Sequence, residues 1–188
     1  MHSDSLAAYR YENLSLPRLR EILKTAPIAL IPIGIMEWHG NQNALGMDGL
    51  VAENLCGRVM TQLKRGVLFP LHWVGTYGYV HYEGTVCYDE AVTTQFLTQL
   101  LFQVVKLGFK FIVLISGHGG QWQSTAIKTA VQTVLKTLAK PSKELNIVGV
   151  VYPELSPGVG VTHAGIEETA MLWRIGQIKG VNLVDMKN

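Results

Sequence analysis

Residues 29–48 read Ala-Leu-Ile-Pro-Ile-Gly-Ile-Met-Glu-Trp-His-Gly-Asn-Gln-Asn-Ala-Leu-Gly-Met-Asp. The first part, Ala29 to Ile35, is an unbroken apolar run, which predicts a strand covered on both faces, as in a parallel sheet. Gly34 then loosens the backbone, and polar groups suited to binding metal follow. Side chains at i and i+2 of an extended segment share a face, so Glu37 and His39 are expected to enter one space, with Asp48 returning after a Gly-containing loop. Two carboxylates and an imidazole suit zinc, manganese or iron(II) better than calcium, whose ligands are oxygens. The alternative for the same residues is solvated loop carboxylates beside a turn histidine.

Outward from this stretch, helical and extended patterns alternate. Ser15-Leu-Pro opens a helix over 15–24 with Ser15 as N-cap and Leu19, Ile22 and Leu23 inward. Apolar spacing predicts further helices over 50–63, 92–105 (closed by Gly108) and 126–138 (with Pro141 just beyond), and from about Glu167 to Ile175. Strands are expected at 67–71, 109–115 and 147–151, and a long loop rich in Gly, Tyr and His at 75–90. The alternation predicts a single domain over 1–188: a three-layer α/β/α sandwich around a mainly parallel sheet.

Hydrophobic residues make up 48% of the 188 and charged residues 16%, a balance that argues against disorder and leaves apolar surface for subunit contacts. The net charge of +2 comes from scattered Lys and Arg, which gives no nucleic-acid footprint. The longest apolar stretch, 26–36, holds two prolines and is too short to cross a membrane. The first ten residues lack a signal-peptide pattern, and Cys56 and Cys87 lie far apart. A cytoplasmic protein with reduced thiols is the expectation.

Ligands of open parallel sheets gather beyond the carboxyl ends of the strands, where the candidate groups fall. Glu37 and His39 follow the first strand, the Tyr/His loop the second, His118 the third, and His163 and Glu168 the fourth. His118 lies in Gly117-His-Gly-Gly120, which reads as a ligand between turn glycines or as a plain turn; a phosphate loop would offer a Lys or a Gly-x-Gly-x-x-Gly spacing. Glu167 is compositionally equivalent to Glu168, which also reads as a first-turn helix carboxylate. His72 and His81 flank the aromatic loop as substrate-contact or structural residues, and Trp38 and Trp122 adjoin ligand loops as core or as pocket walls for a planar substrate. No Gly-x-Ser-x-Gly elbow supports a serine hydrolase.

The succession Ile31-Pro-Ile-Gly, Glu37-x-His39-Gly40, Asp48, Tyr82-Glu-Gly-Thr85, Gly117-His-Gly-Gly120 and His163-Ala-Gly165 to Glu168-Thr169 resembles the creatininase (creatinine amidohydrolase) family of metal-dependent hydrolases in order and spacing. The resemblance implies two divalent ions, zinc, manganese or iron, with Glu37 and His118 on one, His39 and Glu168 on the other and Asp48 bridging. It also implies His163 as a catalytic or substrate-orienting group that could handle the proton passing to the leaving nitrogen, and a homo-oligomer, hexameric in the family. Trp38, Tyr77, His81, Gly119 and Trp122 are the expected substrate contacts. Gln42, Gln121, Ile166 and Ala170 depart from the family pattern, and Gly120 stands where creatininase itself has a glutamate. Beside typical members the chain looks shorter, mainly after the fourth strand.

The expected activity is hydrolysis of a C–N bond in a small non-peptide amide, cyclic amide or formamide by a metal-bound hydroxide. The alternatives are hydrolysis of a carbocyclic or sugar-derived ketone, and a non-catalytic binding or assembly subunit of the same fold.

Overall fold

A computed structural model describes residues 6–138, 144–155 and 160–179. Among these residues, long α-helices flank a parallel sheet: α1 (Leu16–Thr25), β1 (Ile28–Gly34), α2 (Met47–Leu63), β2 (Val67–Leu68), β3 (His72–Trp73), α3 (Glu90–Leu107), β4 (Phe111–Ser116), α4 (Gln121–Thr137), β5 (Asn146–Val151) and α5 (Ile166–Lys179). The strand order is β2-β1-β4-β5, with β3 also paired to β1. Each pairing in it is parallel, so the α/β architecture expected from the sequence is the one observed. Pro141 and residues 156–159 of the loop before His163 lie outside the described residues.

Local chemistry explains the element ends. The Ser15 hydroxyl accepts from Arg18 N–H at the start of α1, and Asp89 accepts from Val92 N–H at the start of α3. Gly108, at φ +106°, closes α3 in a left-handed conformation. Several boundaries differ from expectation, α4 for instance beginning at Gln121 rather than at 126, and two have a clear local cause. The strand expected over 67–71 is two short pieces, because Pro70 offers no N–H to the ladder and the register with β1 slips by one residue, from Ala29↔Val67 to Ile33↔His72. Helix α2 begins at Met47 rather than Leu50, which places Asp48 in its first turn, where the helix dipole favours a carboxylate.

β1 is buried on both faces, as its unbroken apolar run predicts. Ala29, Ile31 and Ile33 pack with Leu97, Leu101, Ile112, Leu114 and Ile127 on the side of α1, α3 and α4. Leu30 and Ile115 meet Cys56 and Met60 on the other side, where α2 lies. Met47 and Val51 join Leu172 and Ile175 there, docking α5 against α2. Cys56 and Cys87 are both free thiols. No described helix is long and apolar enough to cross a membrane.

The chain passes from β1 to β2 and β3 on one side of it, then returns to β4 on the other. The strand order therefore reverses at β1/β4, and the crevice beyond their carboxyl ends is where such sheets bind ligands. The N-terminus of α2 packs directly onto this spot. A Cβ on Gly34 would overlap the backbone of Gly49, and one on Gly117 would overlap the Asp48 carbonyl. Gly117→Ala is expected to destabilise the fold by about 3 kcal/mol, lowering Tm by roughly 6–12 °C, as calorimetry would measure. An unchanged Tm would mean that this backbone contact is not tight.

Candidate metal centre

Glu37 and His39 do not continue β1 as a strand. They sit in a loop after it, which Glu37 N–H closes onto the Leu45 carbonyl (2.8 Å) and which turns at Gly40, φ +75°. His39 Nδ1 donates to the Glu37 carbonyl at 3.0 Å, which leaves Nε2 as the free nitrogen. His118 follows β4, and Ser116 Oγ anchors it by donating to its carbonyl (2.8 Å). Glu168 lies in the first turn of α5 and accepts from Ala164 N–H (2.6 Å). Ala164 takes a left-handed φ of +56° to present that donor.

These elements bring five side chains together. Asp48 divides its oxygens between two histidines, with Oδ1 at 3.2 Å from His39 Nε2 and Oδ2 at 3.4 Å from His118 Nδ1. Glu37 Oε2 lies 3.2 Å from the same His118 nitrogen, and Glu168 Oε2 lies 3.8 Å from His39 Nε2. The other Glu37 oxygen accepts from Tyr79 N–H at 2.7 Å. A Cβ on Gly78 would strike that carboxylate, so the loop approaches it as closely as backbone can.

The three carboxylates are deeply buried, with exposures of 1% for Glu37, 2% for Asp48 and 7% for Glu168. Among the described residues their ion-pair partners are histidines alone. The stretches that build the site, residues 25–57, 66–105, 111–127 and 144–173, contain no Lys or Arg. Buried carboxylates need compensating positive charge. Protonated histidines supply part of it: burial opposes a charge on His39 and His118, yet Asp48 outweighs it, with help from Glu37 at His118, and raises their pKa values to about 9 and about 10. Burial likewise opposes a charged Asp48, but His118 and His39 hold it down to about 2. Burial raises the Glu168 pKa.

The donor set fits divalent cations. His39 Nε2 and Asp48 Oδ2 are buried without a hydrogen-bond partner. Ligand atoms of Glu37, Asp48 and His118 lie within 4.8 Å of one another, as do those of Glu37, His39 and His163. Mixed carboxylate and imidazole donors at this spacing suit zinc, manganese or iron.

His163 stands beside the cluster, its ring centroid 4.3 Å from that of His39. Its Nε2 is 2.7 Å from the Trp38 carbonyl, which only accepts, so Nε2 carries the hydrogen and Nδ1 is free. Burial and neighbouring His39 lower its pKa. Tyr79 stacks on the His163 ring (3.9 Å), and Trp38 stacks on Tyr82 (4.1 Å).

Of the expected substrate contacts, Trp38 therefore borders the cluster. Tyr77, His81 and Trp122 are exposed, with no described contact to it, and Gly119 lies against Pro153. The loop tyrosines whose rings stack beside the cluster are Tyr79, on His163, and Tyr82, on Trp38. Gln123, not among the residues expected at the site, is fully buried and hydrogen-bonded to Ser116 and Thr76. An amide on the apolar stripe of α4, beside Ala126 and Ile127, was its signal.

A parallel α/β sheet whose switch point carries buried carboxylates and imidazoles defines an α/β protein with a candidate binuclear centre. The creatinine amidohydrolase (creatininase) family model matches residues 12–186, and the chain belongs to this family. It is 25% identical over 139 residues to a 3-dehydro-scyllo-inosose hydrolase of Thermotoga maritima, covering 73% of this chain and 43% of the relative. It is 23% identical over 169 residues to a creatinine amidohydrolase of Pseudomonas putida, with coverages of 77% and 63%. It is 27% identical over 165 residues to a mycofactocin precursor peptide peptidase of Mycolicibacterium smegmatis, with coverages of 83% and 61%. The matches thus span 43% to 63% of these relatives' lengths. Among solved structures, a manganese creatininase superposes with TM-score 0.74 at 19% identity, covering 86% of this chain and 70% of that one. A zinc–zinc creatininase variant gives 0.73 at 20%, with the same coverages.

Because the folded-state pKa values of His39 and His118 are raised, their contribution to metal-free stability is complete below their unfolded pKa of about 6.5. It is lost as pH rises through about 9 and about 10. Urea unfolding of metal-free protein is expected to show a falling midpoint from pH 7 to 10.5; a flat profile would mean that the two imidazoles are not charged partners of Asp48.

Proposed function

We propose that this chain is a divalent-metal-dependent hydrolase that cleaves a C–N bond in a small non-peptide amide, cyclic amide or formamide. The observation that carries the reading is three buried carboxylates sharing two imidazoles with no Lys or Arg partner among the described residues. Glu37 and His118 would hold one ion and His39 and Glu168 the other, with Asp48 between them, an assignment supported by its two oxygens facing different histidines. Manganese and zinc are the ions named for creatininase structures of this fold. Bound there, divalent cations lower the pKa of water towards neutrality and polarise a carbonyl.

The chain's own residues supply the rest. Tyr79 N–H and the His39 Nδ1–H bond to the Glu37 carbonyl orient the donors before any ion arrives. His163, held by the Trp38 carbonyl and the Tyr79 ring, presents Nδ1 with its lone pair. Its lowered pKa suits it to accept a proton and pass it to a departing nitrogen. Trp38, Tyr79 and Tyr82 form an aromatic flank suited to a small flat substrate.

A second reading is hydrolysis of a carbocyclic ketone by the same centre, favoured by the likeness to the 3-dehydro-scyllo-inosose hydrolase. A substrate panel containing cyclic amides, formamides, inososes and short peptides distinguishes the readings by which class turns over.

Metal analysis of protein purified without chelator is expected to give close to two divalent ions per chain, falling to one or fewer in His118→Ala and Asp48→Ala. Loading the metal-free protein at pH 7 should release about two protons, because His39 and His118 must give up theirs; a pH indicator in weak buffer reads this directly. His163→Ala should keep its metal and lose about 10²–10⁴-fold in kcat on whichever substrate turns over. If zinc, manganese and iron(II) all fail to bind, the reading is refuted.

A further inference from the structure

Two side-chain amides outside the carboxylate and imidazole set are tied into its two halves. Gln123, in the first turn of α4, donates through Nε2 to Ser116 Oγ (3.1 Å) and accepts through Oε1 from Thr76 N–H (2.9 Å). Ser116 in turn holds the His118 carbonyl, and Thr76 begins the short segment whose Tyr79 N–H holds Glu37. One amide thus fixes the main chain on both sides of the Glu37/His118 pair.

Gln42 works on the other half. Its Nε2 donates to the Ala164 carbonyl at 3.0 Å and lies 3.5 Å from Thr169 Oγ1, to which Asn43 Nδ2 also donates at 3.0 Å. Ala164 is the residue whose N–H holds Glu168. The loop carrying His39 is thereby clamped to the turn carrying Glu168. The bonds made by Gln123 and by Gln42 share no residue.

Resting on the metal-centre reading, we infer that Gln123 and Gln42 are positioning residues that act separately, Gln123 setting the affinity of the Glu37/His118 half for its ion and Gln42 that of the His39/Glu168 half. The physical basis is that a ligand held by a supporting hydrogen bond stays in its productive geometry, and loss of such a partner costs about 10–100-fold in metal affinity. Independence follows from the separate anchor points. Ser116 ends β4 and Thr76 follows β3, whereas Ala164 precedes α5 and Thr169 lies within it.

The test is titration of metal-free full-length protein with Mn²⁺, followed by calorimetry and by the electron paramagnetic resonance signal of paired ions. The parent should bind two ions. Gln123→Met and, as a gentler variant of the same arm, Ser116→Ala should each weaken one ion by about tenfold or more and leave the other as in the parent. Gln42→Met and Thr169→Val should weaken the opposite ion. Adding His39→Ala to Gln123→Met should abolish the remaining tight ion, and adding His118→Ala to Gln42→Met should do the same. Thermal melts of the metal-free variants separate this from misfolding, since a purely structural role lowers Tm without choosing between ions. Parent-like titrations in all four variants, or equal weakening of both ions in any of them, would overturn the inference while leaving the two-ion reading intact. A parent that binds no ion overturns both.

Discussion

The close approach of the α2 N-terminus to the ends of β1 and β4 is the constraint on which the rest depends. Gly34 meets Gly49, and Gly117 meets the Asp48 main chain, with no space for a β-carbon at Gly34 or Gly117. That contact seats Asp48 between two histidines that follow different strands. Were the helix held a methyl group further away, Asp48 could not span both imidazoles, and the two halves of the cluster would be separate sites. Packing density at three glycines thereby becomes a statement about electrostatics.

The charge balance follows from this placement. Burial makes each carboxylate costly, and the chain offers no Lys or Arg in the stretches around them. Histidine protonation offsets part of that cost and would be displaced by cations. A site of this kind is held together only in part by the protein itself: its remaining stability is available to whatever positive charge enters. Coupling of that kind between ligand and fold is what a metal centre built from buried acids requires.

Family membership narrows the chemistry without fixing the substrate. The relatives are named for a creatinine, an inosose and a peptide, so membership of the family does not by itself select a substrate class. Here the surroundings are aromatic. Trp38, Tyr79 and Tyr82 line one flank, and the Tyr79 ring lies on His163. One of the positions at which the sequence departs from the family pattern, Gln42, bridges the His39 loop and the Ala164 turn.

Much of this was legible in the sequence. The apolar run at 29–35 gave a doubly covered strand, the Ser15 and Gly108 signals gave helix ends, and the polar residues after each strand gave the candidate cluster, because periodicity and capping are local properties of the chain. Other features depended on contacts between distant segments. The break in the strand at Pro70, the start of α2 at Met47, the division of Asp48 between two histidines and the stacking of Tyr79 on His163 are examples. The sequence by itself determined which residue types stand at the strand ends. Only the tertiary structure decided which of their atoms face one another, because that depends on strand order and on how closely one backbone can approach another.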